Sequence, residues 1–354
     1  MKKIIFIFIL LIPSTILGLE TNAESAILMD TDNKRIIYAK NINNVQSVAS
    51  ISKIMTAIVA IENGQLNKKV KIGKEIEGSY GSGIYIKKGE ILTKKDLLYG
   101  LMLRSGNDAA LAIAYHTYRN VPKFINEMNE KAKEIGMKNS VFNNPSGLDQ
   151  VNGNFSTAYD MAILTSYAMQ NDIYKEIVKT KKYVLKTNKN TYVWHNKHRL
   201  LKQYMYTTGG KTGFTQIARR TLVTTATKNN LNLVVVTLKD STDFSDHIKL
   251  FEYGFNNYNN KLILKKGYIK IDQENYYKDN KLYIKENFYY SITKMEEKTI
   301  NIEYKLIKKR LYKNHEKVGK LIIKQGDKKI KDINVYVEKT KKAKKLFERL
   351  VNND

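Results

Sequence analysis

The sequence predicts an α+β fold followed by a separate, small all-β domain. Apolar residues recur at helical spacing in several segments between residues 50 and 169. Apolar strand pairs separated by turn residues stand at residues 25–39 and 221–239. From about residue 259, helical periodicity nearly disappears and short alternating apolar runs replace it. Helices and strands therefore share the first region, whereas strands dominate the second.

The amino-acid composition indicates which binding partners and which chemistry are compatible with this chain. The chain has 354 residues, enough for a substantial core and two domains, and a net charge of +27. This charge favours an anionic neighbour such as nucleic acid, acidic lipid or an anionic cell-wall polymer. The basic residues are spread along most of the chain, which argues against a nucleic-acid-binding patch. The absence of cysteine excludes disulfides, thiol catalysis and cysteine-based metal sites.

The N-terminus resembles a secretory signal peptide, predicted over residues 1–23. Lys2 and Lys3 precede an apolar run over residues 4–12, which Pro13 interrupts. Cleavage after Gly18 and cleavage after Ala23 both remain open, and an uncleaved anchor is the alternative. We therefore expect an exported protein of the extracytoplasmic cell envelope, with no nucleic-acid partner.

The first half of the chain predicts a hairpin and then a series of helices. Strands at residues 25–30 and 35–39 flank a turn rich in Asp and Asn. A helix then runs from the segment around Ser50 to about Gly64. Thr93, with an acidic residue three positions later, predicts a capped helix over residues 94–103, and a second helix follows to about Tyr118.

The second half of the chain predicts a further helical stretch and a buried hairpin. An apolar stripe follows Pro122, and Thr157 caps another helix. Residues 221–227 and 231–239 are rich in Val, Leu and Thr and predict two buried strands. The last helix of this region is predicted over residues 245–253, closed by Gly254.

These patterns divide the chain into a larger α+β domain over residues 24–258, a small β-rich domain over 259–338 and a basic tail over 339–354. In the tail, apolar residues share one face of a short helix surrounded by lysines. Such a helix can lie on an anionic membrane surface, which would place the protein peripherally on the outer face of the cytoplasmic membrane. Packing on the protein itself and fraying in solvent are the alternatives.

Three short motifs, in order, indicate the chemistry. Ser50 and Lys53 stand three residues apart on one helical face, where a desolvated lysine can take the serine's proton. The motif Ser105-Gly106-Asn107 follows at a predicted helix–helix turn, where the glycine suits a tight bend. Lys211-Thr212-Gly213 then opens a strand next to the buried hairpin. Each motif alone is common, but the ordered set is typical of active-site-serine penicillin-binding proteins and β-lactamases.

The histidines do not predict a metal site. His195 and His198 are three residues apart, without the spacing of four and the third ligand that a helical zinc site usually has. Both are expected in a loop. The sequence predicts neither a metal nor a cofactor.

Over residues 24–258 the chain resembles the low-molecular-weight penicillin-binding proteins, the D-alanyl-D-alanine carboxypeptidases. Besides the three motifs, the likeness includes the segments 144–148 and 156–162 and Tyr253-Gly254-Phe255. The β-rich domain and basic tail also resemble this family. The resemblance implies a β-lactamase/transpeptidase-like domain, in which a helical cluster packs on a mainly antiparallel sheet with the site between them.

The resemblance also implies the chemical roles of the motif residues. Ser50 would attack the penultimate D-alanine of a peptidoglycan stem peptide, with Lys53 as base, kept partly neutral by burial and a positive Lys211. Ser105 would pass a proton to the leaving amine, and Asn107 would hold the substrate backbone and orient Lys53. β-Lactams would be covalent inhibitors.

The resemblance also implies that the third motif binds the substrate. Lys211 and Thr212 would receive the terminal carboxylate, and Gly213 would let the substrate approach the protein backbone. The backbone N–H groups of Ser50 and Phe214 would form the oxyanion hole.

Two departures from this family accompany the likeness. Asn154 stands where many relatives have histidine, and residues 240–246 lack the arginine that often helps to bind the carboxylate. A secreted serine β-lactamase and a non-catalytic peptidoglycan-binding protein are the rival interpretations. For an enzyme, preference for hydrolysis, transfer or cross-link cleavage stays open.

Overall fold

This computed structural model describes residues 19–149, 152–271, 277, 280–308 and 312–340. Most of the predicted signal peptide (1–23) and of the basic tail (339–354) therefore lies outside the described residues. No helix among the described residues is long and apolar enough to cross a membrane.

Eleven strands and eight helices make up the first region of the described chain. The strands are β1 (Ser25–Asp30), β2 (Ile36–Lys40), β3 (Gln46–Ser47), β4 (Lys69–Lys71), β5 (Ile91–Thr93), β6 (Phe155–Ser156), β7 (Lys182–Lys186), β8 (Thr191–His195), β9 (Thr207–Thr215), β10 (Arg219–Lys228) and β11 (Leu231–Leu238). The helices are α1 (Lys53–Glu62), α2 (Lys94–Tyr99), α3 (Asn107–Tyr118), α4 (Val121–Glu134), α5 (Ala158–Ala168), α6 (Asp172–Lys179), α7 (Leu200–Gln203) and α8 (Asp243–Asn257).

The main sheet of this region has five antiparallel strands in the order β2–β1–β11–β10–β9. Every residue of β1 is buried, because the strand lies inside the sheet and is covered on both faces. Strand β9, which carries the third motif, lies at one edge of this sheet. An edge strand leaves backbone groups available for a further extended segment.

The helical cluster packs on one face of this sheet around α1. Residues 53–61 of α1 are all buried, so this helix has no solvent face until its last turn. A helix that is buried all round lies in the core. A one-turn 3₁₀ helix over Ala49–Ser52 leads into α1 and places the first motif between sheet and helices.

Helix capping follows the sequence closely. Thr93 and Asp96 form the predicted capping box at the start of α2, and the Thr157 side chain accepts the Asp160 N–H at the start of α5. Asp160 also accepts hydrogen bonds from Asn139 and Ser140, which makes it a structural residue. These caps satisfy N–H groups that have no partner within the helix.

Predicted and observed elements differ in three places. The regular helix α2 ends at Tyr99 and continues as a wide π turn over Gly100–Arg104. Helix α8 begins before Ser245 and continues past Gly254. The glycine allows the helix to pack closely on the sheet, because a Cβ atom at this position would lie 2.7 Å from Leu233 Cδ1. His195 ends strand β8 and is not in a loop.

From Asn259 onward, strands dominate. They are β12 (Asn259–Leu264), β13 (Gly267–Ile269), β14 (Asn280–Ile284), β15 (Phe288–Ile292), β16 (Ile300–Leu306), β17 (Lys317–Gln325) and β18 (Lys328–Lys339). A five-stranded sheet has the order β13–β14–β18–β17–β16, and β12 pairs with β15. These strands surround their own apolar core.

One arginine of the first region contacts the strand-rich region. Arg35 donates to the backbone oxygen of Ser291 and forms an ion pair with Glu296. Its guanidinium also lies about 5 Å from the ring centroids of Tyr258 and Tyr290, at 5.1 and 5.0 Å. This set of contacts joins the two regions without contributing to the groove described below.

Candidate active site

A groove of about 380 Å³ lies between the helical cluster and the edge strand β9. Its size falls in the usual range of small-molecule sites. Residues from several distant segments line it: Ser50, Ser82, Ser105, Lys197, Thr212, Gly213, Phe214, Arg220, Asp243 and Phe244. The three predicted motifs therefore meet at one place in the fold.

Ser50 sits at a sharp bend before helix α1. The preceding residue, Ala49, has a positive φ of 47°, which is uncommon for a residue with a side chain. Backbone strain of this kind concentrates at functional sites. The bend places the Ser50 hydroxyl at the groove, 2.9 Å from the Nζ atom of Lys53.

Lys53 lies beneath the groove and is fully buried. Its Nζ atom contacts the Ser50 hydroxyl and donates to Asn107 Oδ1 at 2.8 Å and to the backbone oxygen of Ser146. Three acceptors match the three N–H donors of an ammonium group. The side chain is therefore fixed in a position from which it can exchange a proton with Ser50.

The pKa of Lys53 is lowered to about 7, chiefly by burial and to a smaller extent by the positive charge of Lys197. Our expectation that a positive Lys211 supplies this neighbouring charge needs correction. Lys53 and Lys211 do repel each other, but this repulsion lowers the pKa of Lys211, which burial already holds well below its ordinary value. Near neutral pH, Lys53 is thus present in both protonation states.

The second motif places Ser105 and Asn107 on either side of a turn. Within this turn Ser105 adopts the left-handed conformation, with φ 65°. Gly106 is required for space, because a Cβ atom would lie 2.8 Å from Asp108 Oδ1 and 3.0 Å from Ile84 Cγ2. The Asn107 side-chain oxygen accepts a hydrogen bond from Lys53, and its side-chain N–H is donated to the backbone oxygen of Tyr80 at 2.6 Å.

Lys211 reaches the groove from strand β9, on the side opposite Lys53. Only 2% of its surface is exposed, and its Nζ donates to Ser105 Oγ at 3.0 Å and to the Thr212 backbone oxygen at 2.6 Å. Two buried amines therefore flank two hydroxyls, with Lys53 next to Ser50 and Lys211 next to Ser105.

The remaining motif residues form the wall of the groove. A Cβ atom at Gly213 would lie 2.4 Å from Thr221 Oγ1 and 3.0 Å from the Ser50 nitrogen, so only glycine lets β9 approach the nucleophile this closely. Thr212 and Phe214 line the groove as well, and the Phe214 side chain is 58% exposed. All eight predicted site residues therefore lie at or directly beneath the groove.

Motif reasoning missed several contributors. Lys197 lies in the irregular segment between β8 and α7, Ser146 in a turn, and Arg220 and Asp243 at the start of β10 and α8. None belongs to one of the three motifs. The segment 144–148, quoted for the family likeness, was the available signal for Ser146.

Asn154 has a structural role. The side chain is fully buried; its oxygen accepts the N–H groups of Asn143 and Asn144, and its nitrogen donates to the Asn144 backbone oxygen. This bracing holds the turn that presents the Ser146 oxygen to Lys53. The departure from histidine at this position therefore leaves the turn well supported.

His198 is buried behind strand β9. Its Nε2 atom lies 3.1 Å from the Val223 backbone oxygen, and burial lowers its pKa to about 4. A neutral histidine is expected near neutral pH. No cluster of three or more potential metal-binding side chains occurs in the part of the chain that the structure describes.

Comparison with known proteins identifies the family. A family model described as D-alanyl-D-alanine carboxypeptidase matches residues 13–242, and one described as penicillin-binding protein 5, C-terminal domain, matches residues 258–343. The chain belongs to the D-alanyl-D-alanine carboxypeptidase family, a family of serine peptidases.

Individual relatives show how far the likeness extends. A D-alanyl-D-alanine carboxypeptidase of Bacillus subtilis is 33% identical over 69% of this chain and 65% of its own length. One of Haemophilus influenzae is 30% identical over 90% of this chain and 85% of its own length. The crystal structure of penicillin binding protein 5 from Haemophilus influenzae gives a TM-score of 0.76 at 28% identity, covering 90% of this chain and 97% of that one.

These findings confirm the family, the serine-peptidase class and the fold class predicted from the sequence. The β-lactamase/transpeptidase-like domain is followed by an all-β domain, as expected. The exact domain limits, the export signal and the roles of individual site residues stay predictions.

Proposed function

We propose that this protein removes the terminal D-alanine from peptidoglycan stem peptides through an acyl-enzyme on Ser50. The observation that carries this proposal is the fully buried Lys53, which contacts the Ser50 hydroxyl and has no carboxylate of the described residues hydrogen-bonded to it. A lysine held in this way can be neutral and act as a base.

Acylation begins when the Ser50 hydroxyl attacks the carbonyl carbon of the penultimate D-alanine. The serine proton passes to neutral Lys53, and the carbonyl oxygen becomes an oxyanion. Backbone N–H groups of Ser50 and Phe214 stabilise that charge, and loss of one such donor typically slows a reaction by about 10²- to 10³-fold. When the peptide bond breaks, the proton held by Lys53 passes by way of the Ser105 hydroxyl, which hydrogen-bonds to Lys211, to the leaving amine, so that Lys53 is neutral again.

The substrate lies along edge strand β9. Because an edge strand has unpaired backbone groups, an extended peptide can add to the sheet there. Gly213 permits this close approach, and Lys211 and Thr212 lie near the terminal carboxylate. Asn107 orients Lys53 from beneath the groove, because its Oδ1 atom accepts a hydrogen bond from Lys53 while its side-chain N–H is donated to the backbone oxygen of Tyr80.

Water then hydrolyses the acyl-enzyme, releasing the shortened peptide and restoring Ser50. A class A β-lactamase uses a glutamate to activate this water. Four glutamates lie between the second and third motifs, and none is among the described residues that line the groove: Glu127, Glu130, Glu134 and Glu176. This favours slow turnover of penicillin and a persistent covalent adduct.

The location follows from the predicted export signal. We expect the protein in the extracytoplasmic cell envelope, where stem peptides are found. Membrane contact through residues 339–354 is a further proposal about a tail that lies mostly outside the described residues.

The test combines a tripeptide ending in D-alanyl-D-alanine with benzylpenicillin. The purified protein should release free D-alanine, and mass spectrometry should find benzylpenicillin on Ser50 for far longer than a second. The Ser50→Ala variant should do neither. Rapid penicillin turnover would favour a β-lactamase, and absence of both reactions in the wild-type protein would favour a binding protein. An added amine acceptor and a cross-linked dimer peptide would reveal transfer and endopeptidase activity.

A further inference from the structure

Two cationic side chains outside the three motifs line the groove, Lys197 and Arg220, and Arg220 is held in place by a carboxylate. Arg220 lies on β10, opposite Phe214 of the edge strand in the sheet register, and lines the same groove as Ser50. Its side chain is 43% exposed. The guanidinium is therefore accessible to a ligand that occupies the groove.

Asp243 fixes the orientation of this arginine. Nε of Arg220 lies 3.1 Å from Asp243 Oδ2, and Nη2 lies 3.0 Å from Oδ1. The carboxylate is itself 7% exposed and accepts the Phe244 N–H at the first turn of α8. Two parallel hydrogen bonds hold a guanidinium in one plane. Two of its five N–H donors are used in this pair, and three remain.

The groove needs a permanent positive charge for an anionic substrate. Lys211 is buried, its pKa is well below the ordinary value, and its amine already donates to Ser105 and Thr212. The segment 240–246 carries three aspartates and no cation. Arginine stays charged at all relevant pH values and matches a carboxylate with two parallel N–H donors.

We propose that Arg220, held in place by Asp243, binds the terminal carboxylate of the substrate and so selects peptides with a free C-terminus. This inference rests on the proposed function and names a specificity-determining residue for it. The position also explains how the groove recognises a carboxylate although residues 240–246 have no arginine.

The test compares two substrates on matched variants. The substrates are an N-blocked lysyl-D-alanyl-D-alanine peptide and the same peptide with a C-terminal amide in place of the carboxylate. The wild-type protein should prefer the free acid. In Arg220→Gln, kcat/KM for the free acid should fall by about 10- to 100-fold, as expected for a lost hydrogen bond to a charged group. The value for the amide should change less than threefold.

Arg219→Gln is the matched control, because it removes the same charge from the neighbouring exposed position, which does not line the groove. It should leave the acid-to-amide ratio unchanged. Arg220→Lys keeps the charge and loses the double hydrogen bond, so it should retain part of the preference even if Arg220→Gln folds poorly. Thermal unfolding checks that the variants are folded.

An unchanged acid-to-amide ratio in both Arg220 variants would overturn the inference while leaving the proposed function intact. A wild-type protein that neither releases D-alanine nor forms the Ser50 adduct would instead overturn the proposed function. The same ratio shift in Arg219→Gln would show a general charge effect and would also count against a specific contact of Arg220.

Discussion

The groove of the first region buries two lysines, whereas Lys320 of the C-terminal sheet lies at the surface beside a carboxylate. Lys53 is fully buried and Lys211 is 2% exposed. Lys320 forms an ion pair with Asp332 at 2.7 Å, and both side chains are at least 30% exposed. Burial without a paired carboxylate lowers a lysine pKa, whereas an exposed pair leaves both groups charged.

The two environments give lysine different roles, proton transfer in the groove and surface hydration in the C-terminal sheet. An exposed pair contributes about 0–1 kcal/mol to stability and keeps the surface hydrated. A buried amine that is partly neutral can take and return a proton, and such perturbed groups cluster at functional sites. The same residue type therefore acts as a base in one region and as a surface charge in the other.

The largest expected effect comes from exchanging a lysine for methionine in each region. Lys53→Met should slow acylation of Ser50 by benzylpenicillin by about 10³-fold, because the base is lost while the volume is nearly kept. Lys320→Met should leave acylation unchanged. Stopped-flow measurement of adduct formation, with thermal unfolding as a folding check, compares the two. Equal rates for Lys53→Met and the wild-type protein would contradict the assigned role.

A smaller effect is expected from replacing one glycine in each region with alanine. A Cβ atom at Gly147 would lie 2.0 Å from the Ala49 backbone oxygen, next to the nucleophile, and φ is +79°. Gly326 has φ +55° in the β17–β18 turn and open space around the Cβ position. Gly147→Ala should lower the free energy of unfolding by about 3 kcal/mol and slow acylation. Gly326→Ala should cost about 1 kcal/mol and leave acylation unchanged.

Denaturant unfolding of each variant measures these costs, and adduct formation measures the effect on the site. A Gly147→Ala variant as stable and as reactive as Gly326→Ala would show that the contact between residues 147 and 49 has no part in positioning Ser50.

The sequence predicted the elements whose signals are local. Ser50 and Lys53 are three residues apart on one helix, and Thr93 with Asp96 forms a capping box, so short-range spacing was sufficient. Groups that act through the tertiary fold were missed. Lys197 reaches the groove from an irregular segment, and Arg220 becomes significant only beside Asp243, which is 23 residues away along the chain.

The same reason explains the wrong helix end. Gly254 resembles a helix stop when only neighbours in the sequence are considered. In the fold it lies inside α8, where a side chain would contact Leu233 across the helix–sheet interface.

The pH dependence of Ser50 acylation tests the central claim most directly, namely that buried Lys53 acts as a neutral base. Because its pKa is lowered to about 7, the neutral fraction should increase about tenfold per pH unit below 7 and level off above it. The acylation rate with benzylpenicillin should follow this curve between pH 5 and 9. A rate that is flat over this range, or that rises only near the ordinary pKa of lysine, would contradict the account.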